Sequence, residues 1–145
     1  MKKQLLFAML FVSCFSFSQS KPKEISELFF KEFKESGAST AIDNLYKPNK
    51  WISKNTDAII QLKSQIAGLN EDFVGKLYGH ELMFEKKLAD SYILLSYIVK
   101  YDRQPIRFTF QFYKPNDQWI IHSFKYDGNI GEEIEESAKL YNFRL

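Results

Sequence analysis

Apolar side chains recur at helical spacing in the part of the chain that follows residue 20. One face of residues 23–36 carries apolar positions spaced three and four apart, namely Ile25, Leu28, Phe29 and Phe33. A shorter helix capped by Ser39 or Thr40, and a third helix over residues 54–67, follow the same spacing. Trp51 lies just ahead of the third helix, and we expect it to anchor the entering chain.

Near residue 73 the period of the apolar positions changes to two, which is typical of strands. Short turns rich in Asp, Asn and Pro separate the apolar runs, which predicts an antiparallel meander. In the first strand the alternation predicts a buried face made of His80, Leu82, Phe84 and Leu88. In the third strand Phe110 is central and is expected in the core. The four strands are predicted over residues 80–88, 92–101, 106–113 and 119–126.

A last helix is predicted over residues 130–141. Its glutamates crowd the N-terminal half, where the helix dipole favours negative charge. Its apolar positions, which we expect to be buried, are Ile130, Ile134, Ala138 and Tyr141. Three helices followed by an antiparallel meander predict an α+β fold, with N-terminal helices packed in one curved sheet and a C-terminal helix added.

The first twenty residues have the pattern of a secretory signal peptide. Lys2 and Lys3 precede an apolar run over residues 5–12, and serines spaced two apart permit cleavage before Gln19 or Lys21. The run is shorter than the ~20 residues that span a bilayer, so removal is favoured over a retained anchor. We therefore expect an exported, periplasmic or secreted protein with one domain over residues 21–145 and no transmembrane segment.

The one cysteine of the chain, Cys14, lies within this N-terminal segment. A lesser alternative is a lipoprotein in which Cys14 is lipidated and anchors the chain to a membrane. The usual leucine of a lipobox is missing, and apolar residues continue past the cysteine. Cleavage after Ser18 would leave no cysteine, which excludes disulfides, thiolate metal sites and cysteine nucleophiles.

Composition and charge narrow the classes of partner. The 145 residues are 45% hydrophobic, which is too apolar for a disordered chain. Removing Lys2 and Lys3 leaves 18 basic residues of the 20 against 18 acidic ones, so the mature chain has no net charge. A neutral, exported chain is not expected to bind nucleic acid. Arg103, Arg107 and Lys114 beside tyrosines are accordingly interpreted as a solvated sheet face.

The element order and a run of alternating aromatic residues resemble a known superfamily. Residues 101–115 read YDRQPIRFTFQFYKP, and residues 117–120 read DQWI. Within residues 24–127 this pattern looks like small exported bacterial proteins of the nuclear transport factor 2-like, cystatin-like cone superfamily. The resemblance implies a sheet bent into a cone around the first helices, with the helix over 130–141 as an addition. It carries no catalytic signature, and the superfamily includes both enzymes and non-enzymatic proteins.

Two histidines are the candidates for acid–base chemistry. His80 and His122 both lie at even strand positions among apolar residues. If both faced into the cone, either imidazole beside a carboxylate such as Asp90 or Glu85 would be a reasonable general base. No spacing ties either histidine to a carboxylate, so we favour a structural role for both.

Motifs for metal binding and nucleophilic catalysis are missing from the sequence. The two histidines are far apart and no thiolate accompanies them, so we expect no metal site and no cofactor. No Gly-x-Ser-x-Gly elbow occurs, and the stretch Gly75–Gly79 lacks the spacing of a phosphate-binding loop. These two glycines are interpreted as hinges flanking a short edge strand.

Two hypotheses of different classes remain. The first is an exported, non-enzymatic binding module, in which the cone mouth takes a small apolar ligand or the outer sheet face pairs with a second copy. Its expected contact residues, of types enriched at interfaces, are Tyr97, Tyr101, Tyr113 and Trp119. The second is a small hydrolase, isomerase or dehydratase that uses His80 or His122 with Asp90 or Glu85. The absence of a convergent acid–base spacing favours the first.

Overall fold

The computed structural model describes residues 21–142, with side chains to residue 139. The predicted signal segment, including Cys14, lies outside the described residues. Within residues 21–142 no helix combines the length and apolarity that crossing a bilayer requires. The elements of this range are α1 Pro22–Ser36, α2 Ala38–Tyr46, α3 Thr56–Ala67, α4 Glu71–Val74, β1 Leu77–Leu88, β2 Tyr92–Tyr101, β3 Pro105–Tyr113, β4 Ile120–Asp127 and α5 Ile130–Asn142. The predicted α+β class is confirmed.

The first two helices are separated by one residue. Helix α1 begins at Pro22, whose restricted φ suits the first turn. It ends at Gly37, which has a φ of +86°, a conformation that glycine adopts without strain. Helix α2 starts directly at Ala38, so Ser39 and Thr40 lie inside its first turn. The prediction that one of them caps this helix is wrong, because the chain reverses at Gly37 before either is reached.

The four strands form one antiparallel meander in the order β1-β2-β3-β4. The pairing register shifts twice in β1, between Leu77 and Gly79 and between Leu82 and Phe84, and once in β4, where His122 is the extra residue opposite Gln111 and Phe112. Each shift is a β-bulge. A shift of one residue reverses the side of the sheet on which all later residues of that strand lie.

The side of the sheet that packs against α1 and α2, here called the inner face, carries the core. The Phe29 and Phe110 rings meet edge to face with centroids 5.2 Å apart, and Phe30 stacks on Phe108 at 6.0 Å. Phe110 is fully buried, which confirms the prediction for this residue. The buried inner-face side chains of the three later strands are Ile93, Leu95, Tyr97, Val99, Tyr101, Ile106, Phe108, Phe110, Phe112, Ile121 and Phe124.

The opposite side of the sheet, here called the outer face, is joined by the start of α5. Arg107 lies on this face because its neighbour Phe108 points inward. Its guanidinium pairs with Asp127, with Nη2 3.0 Å from Oδ1, and also with Glu133 of α5. Ile130 is buried without belonging to the main core cluster. The first turn of α5 is therefore held by one ion-pair network and one apolar side chain.

The predicted apolar face of α5 is largely exposed. Ile134 is 62% exposed and Ala138 is also exposed, so their predicted burial is wrong. The side chain of Tyr141 lies outside the described part of the chain. Helical spacing alone could not show this outcome, because burial also requires an element packed against the apolar face.

Burial also differs from the prediction in β1 and at Trp51. Leu82 and Phe84 are 40% and 41% exposed, and Leu88 is 72% exposed. The bulge turns Phe84 and Leu88 to the outer face, and β1 is an edge strand with no further strand paired to its free side within the described part of the chain. Trp51 is 82% exposed and does not anchor the chain, since its loop lies on the surface.

A short helix that the sequence pattern missed, α4, leads into a close approach between two turns. Gly75 follows it with a φ of +79°, and a Cβ added there would lie 2.5 Å from Cβ of Asp102. Asp102 Oδ2 accepts from the backbone N of Lys76 at 3.1 Å, and the backbone N of Arg103 donates to the Val74 carbonyl. Gly75 is therefore required by the contact between these turns. The predicted short edge strand between Gly75 and Gly79 is instead the start of β1, a strand of 12 residues that contains Gly79.

Candidate functional site

The predicted contact residues Tyr97 and Tyr101 belong to the core. Tyr97 is fully buried, and its hydroxyl oxygen lies 2.7 Å from Oγ of Ser26 on α1. Tyr101 is also buried, and its hydroxyl has no hydrogen-bond partner among the described residues. Burial raises the pKa of Tyr101 to about 12. Neither side chain offers a surface to a partner, because both are buried on the inner face of the sheet.

Tyr113 and His122 lie together on the outer face. The Tyr92 ring is 6.5 Å from the Tyr113 ring and 5.8 Å from the His122 ring, measured between centroids. Both Tyr113 and His122 are exposed. The bulge in β4 explains the position of His122, since it places this residue on the side opposite the buried Ile121. The two histidines therefore face opposite sides of the sheet and do not meet.

His80 lies on the inner face and is paired with Glu27, a carboxylate that the sequence pattern does not connect with it. Its Nε2 lies 2.9 Å from Oε2 of Glu27 on α1, and its ring stacks on Phe30 at 3.7 Å between centroids. A surface pocket of about 240 Å³ opens beside this pair, and Lys31 and Lys34 of α1 line it. Glu27 lies 53 positions from His80, so no local motif could have indicated the pairing.

Of the two carboxylates proposed for the histidines, Glu85 is paired with lysines and Asp90 lies in an exposed turn. Glu85 Oε2 lies 2.8 Å from Nζ of Lys23, and Glu85 Oε1 lies 3.6 Å from Nζ of Lys87. The hydrogen bond from Lys23 lowers the pKa of Glu85 and raises the pKa of Lys23. Asp90 is exposed in the turn after β1, roughly 25 Å from His80 along the strand. Neither His80 nor His122 has a ring nitrogen within 4 Å of a carboxylate oxygen of Glu85 or Asp90, so the hypothesis of a dyad with either carboxylate has no geometric support.

A second pocket, of about 440 Å³, lies between the start of α1 and the inner face of the sheet. We call it the end pocket. Its apolar lining consists of Pro22, Ile93, Leu95 and Trp119. Its charged lining consists of Lys21, Lys23, Glu85 and Lys87. Its volume is within the range of small-molecule sites, and its floor is continuous with the core because Ile93 and Leu95 are buried core residues.

Of the four predicted contact residues, Trp119 is the one that lines the end pocket. It is partly buried against the core. The Nζ atom of Lys114 lies 5.3 Å from the centroid of its ring, within cation–π distance. Another pocket, of about 360 Å³, is lined by loop residues around Trp51 and Pro115 and has no core residue in its floor.

Among residues 21–142 no group of three or more His, Cys, Asp or Glu side chains is arranged to hold a metal ion. No family model matches the chain, and no curated protein or solved structure is significantly similar to it. Membership of the cone superfamily accordingly stays a prediction.

Proposed function

We propose that this protein is an exported, non-enzymatic binding module of the nuclear transport factor 2-like type, and that its ligand occupies the end pocket. The observation that carries the proposal is the apolar floor of this pocket. Ile93, Leu95 and Trp119 meet there at the opening between α1 and the sheet. Ligand sites of small molecules are concave, mostly apolar and furnished with a few polar groups.

The ionisable groups of the end pocket favour binding over catalysis. A general base needs a lone pair that is free to take a proton near neutral pH. Glu85 is the carboxylate in the lining, and its pKa is lowered by Lys23, with Lys87 as a second neighbour. A carboxylate that two ammonium groups stabilise is a weak base, so the pocket is equipped to hold a ligand rather than to transform one.

Export is part of the proposal and is supported by the N-terminal sequence. The basic start, the apolar run over residues 5–12 and the small residues after it follow the order of a signal peptide. Small apolar compounds outside the cytoplasm are the ligands that such a protein would meet.

A second candidate function, a small hydrolase, isomerase or dehydratase, is favoured by the contact between His80 and Glu27. If Nε2 carries the proton donated to Glu27, Nδ1 holds the lone pair and acts as general base. Lys31 and Lys34 line the pocket of about 240 Å³ beside His80 and Glu27, and they would stabilise a negative charge that develops there. The exposure of Glu27 argues against a strong electrostatic effect of this carboxylate on His80, because solvent screens the pair.

The binding function is tested with the fluorescence of Trp119. The chain has two tryptophans, so Trp51→Phe leaves Trp119 as the sole indole reporter. We expect saturable quenching or a shift of its emission on titration with decanol, a neutral probe. Ile93→Gln should weaken the binding, whereas Ile60→Gln, at an exposed position of α3, should not. No saturable change, or an equal effect of both variants, contradicts the proposal.

The enzyme hypothesis is tested in the host. A strain lacking the protein is complemented with His80→Gln or with Ile93→Gln, and folding of each variant is checked by circular dichroism. If His80→Gln complements the strain and folded Ile93→Gln does not, the binding module is supported. If Ile93→Gln complements the strain and folded His80→Gln does not, the enzyme hypothesis is the better account.

A further inference from the structure

We propose that the ligand of the end pocket is an amphipathic anion, a compound with one apolar chain and an anionic head group. This inference rests on the proposed function of the same pocket. It goes further by naming the chemical class of the ligand, and it follows from the charges that the bulge of β1 brings to the inner face.

The bulge between Leu82 and Phe84 decides which side chains form the wall of the pocket. Residues directly opposite each other in an antiparallel pair lie on the same face. Glu85 pairs with Leu95, and Lys87 pairs with Ile93, so both charged residues lie on the inner face. An uninterrupted alternation would instead place Phe84, Lys86 and Leu88 there, and Phe84 and Leu88 are the two that the sequence pattern predicts to be buried.

This exchange is unfavourable for stability by itself. Phe84 and Leu88, which could close the opening with apolar surface, are 41% and 72% exposed on the outer face. Exposing such side chains forgoes the free energy that their burial would supply. The same bulge places the carboxylate of Glu85 and the ammonium group of Lys87 at the mouth of an apolar pocket. Bulges that re-aim side chains in this way are over-represented next to functional sites.

The charges of the lining do not balance. Among the described residues that line the pocket, Glu85 is the one acidic residue, whereas Lys21, Lys23 and Lys87 are basic. Glu85 makes its short contact with Lys23, at 2.8 Å, and its contact with Lys87 is longer, at 3.6 Å. One carboxylate leaves an excess of two positive charges beside the apolar floor. An anionic head group at the mouth, with its chain on Ile93, Leu95 and Trp119, would complement both features.

The experiment compares three probes that share one chain and differ in head-group charge: decanoate, decanol and decyltrimethylammonium. Binding to the purified Trp51→Phe protein is followed by Trp119 emission below the aggregation range of each probe, with the N-terminus of the sample established by mass spectrometry. We expect decanoate to bind roughly fivefold to tenfold more tightly than decanol, with decyltrimethylammonium weakest. Added salt should weaken decanoate binding and leave decanol unchanged.

Lys86 and Lys87 provide a matched pair of variants. They are adjacent, but Lys86 pairs with Leu94 on the outer face, whereas Lys87 lines the pocket. Lys87→Gln should reduce decanoate affinity about threefold to fivefold without affecting decanol, and Lys86→Gln should change neither. If decanol binds as tightly as decanoate, or Lys86→Gln has the same effect as Lys87→Gln, the anionic class is wrong while the binding pocket stands. If no probe binds, both proposals fail.

Discussion

The hydroxyl of Tyr97 donates a hydrogen bond to Oγ of Ser26 across the interface between β2 and α1, with the two oxygens 2.7 Å apart. The direction follows from proton counting. Ser26 has one hydroxyl proton, and its oxygen also lies 3.0 Å from the carbonyls of Pro22 and Lys23, which only accept. The serine proton is therefore donated to a carbonyl, and the proton between the two hydroxyl oxygens comes from Tyr97. This network fixes the first turn of α1, which forms one wall of the end pocket.

The two buried tyrosine hydroxyls should respond oppositely to removal. Tyr97→Phe leaves the buried oxygen of Ser26 without its donor, and we expect a loss of about 1 kcal/mol in the free energy of unfolding. Tyr101→Phe removes a hydroxyl that has no partner among the described residues, so we expect a neutral to stabilising effect. Urea unfolding at neutral pH measures both. A loss for Tyr101→Phe as large as that for Tyr97→Phe would show that Tyr101 has a partner.

Alkaline pH should destabilise the protein in part through Tyr101. Its pKa is raised by burial from 10.0 to about 12, so the folded state holds the proton more tightly than the unfolded state. The stabilisation is present in full below pH 10 and is lost as the pH rises toward 12. The stability difference between the native chain and Tyr101→Phe should therefore move in favour of the variant by about 1 kcal/mol between pH 8 and pH 11. An unchanged difference would contradict this assignment, since the other tyrosines are common to both.

Replacing Phe110 should be far more damaging than replacing Phe84 in the same sheet. Phe110 is fully buried and contacts Phe29 of α1, so Phe110→Ala removes core contacts and leaves a cavity. The expected loss is about 3–5 kcal/mol, measured by chemical unfolding. Phe84 is partly exposed on the outer face, and its replacement by alanine should lower stability by less than about 1.5 kcal/mol. Similar losses of stability for the two variants would contradict the assignment of the core to the inner face of the sheet.

Gly75 and Gly131 should differ in their tolerance of alanine. At Gly75 the positive φ and the nearby Asp102 Cβ leave no room for a methyl group. Gly75→Ala is expected to lower the free energy of unfolding by more than about 1 kcal/mol. Gly131 lies in α5 with open space around it, and alanine there should stabilise by roughly 0.5–1 kcal/mol. Thermal unfolding of both variants checks the contrast, and an unaffected melting temperature for Gly75→Ala would refute the close approach.

Export predicts a defined new N-terminus. Mass spectrometry of protein recovered from the envelope or the medium of its host should show a chain that starts at Gln19 or Lys21. A soluble cytoplasmic chain that retains Met1 would rule out export. A lipid on Cys14 would replace the free, exported protein by the membrane-anchored alternative.

The sequence by itself determined the class of the fold and the order of all its elements except the short helix α4. Helical spacing before residue 68 and alternation after residue 77 are local properties, and each element needs its own period to bury one face. For the same reason the central position of Phe110 in β3 was sufficient to place it in the core. The turns were also evident, because Asp, Asn, Gly and Pro act through their own backbone preferences.

The tertiary structure alone decided which side chains meet. A bulge has no reliable local signature, yet the one in β1 moved Phe84 outward and Glu85 and Lys87 inward. The contact of His80 with Glu27 joins two elements far apart in the chain, and no spacing rule connects them. Exposure of Ile134 depended on whether another element covers its helix. Local periodicity fixes a face for each residue only until the register changes, and what that face contacts is set by packing between elements distant in sequence.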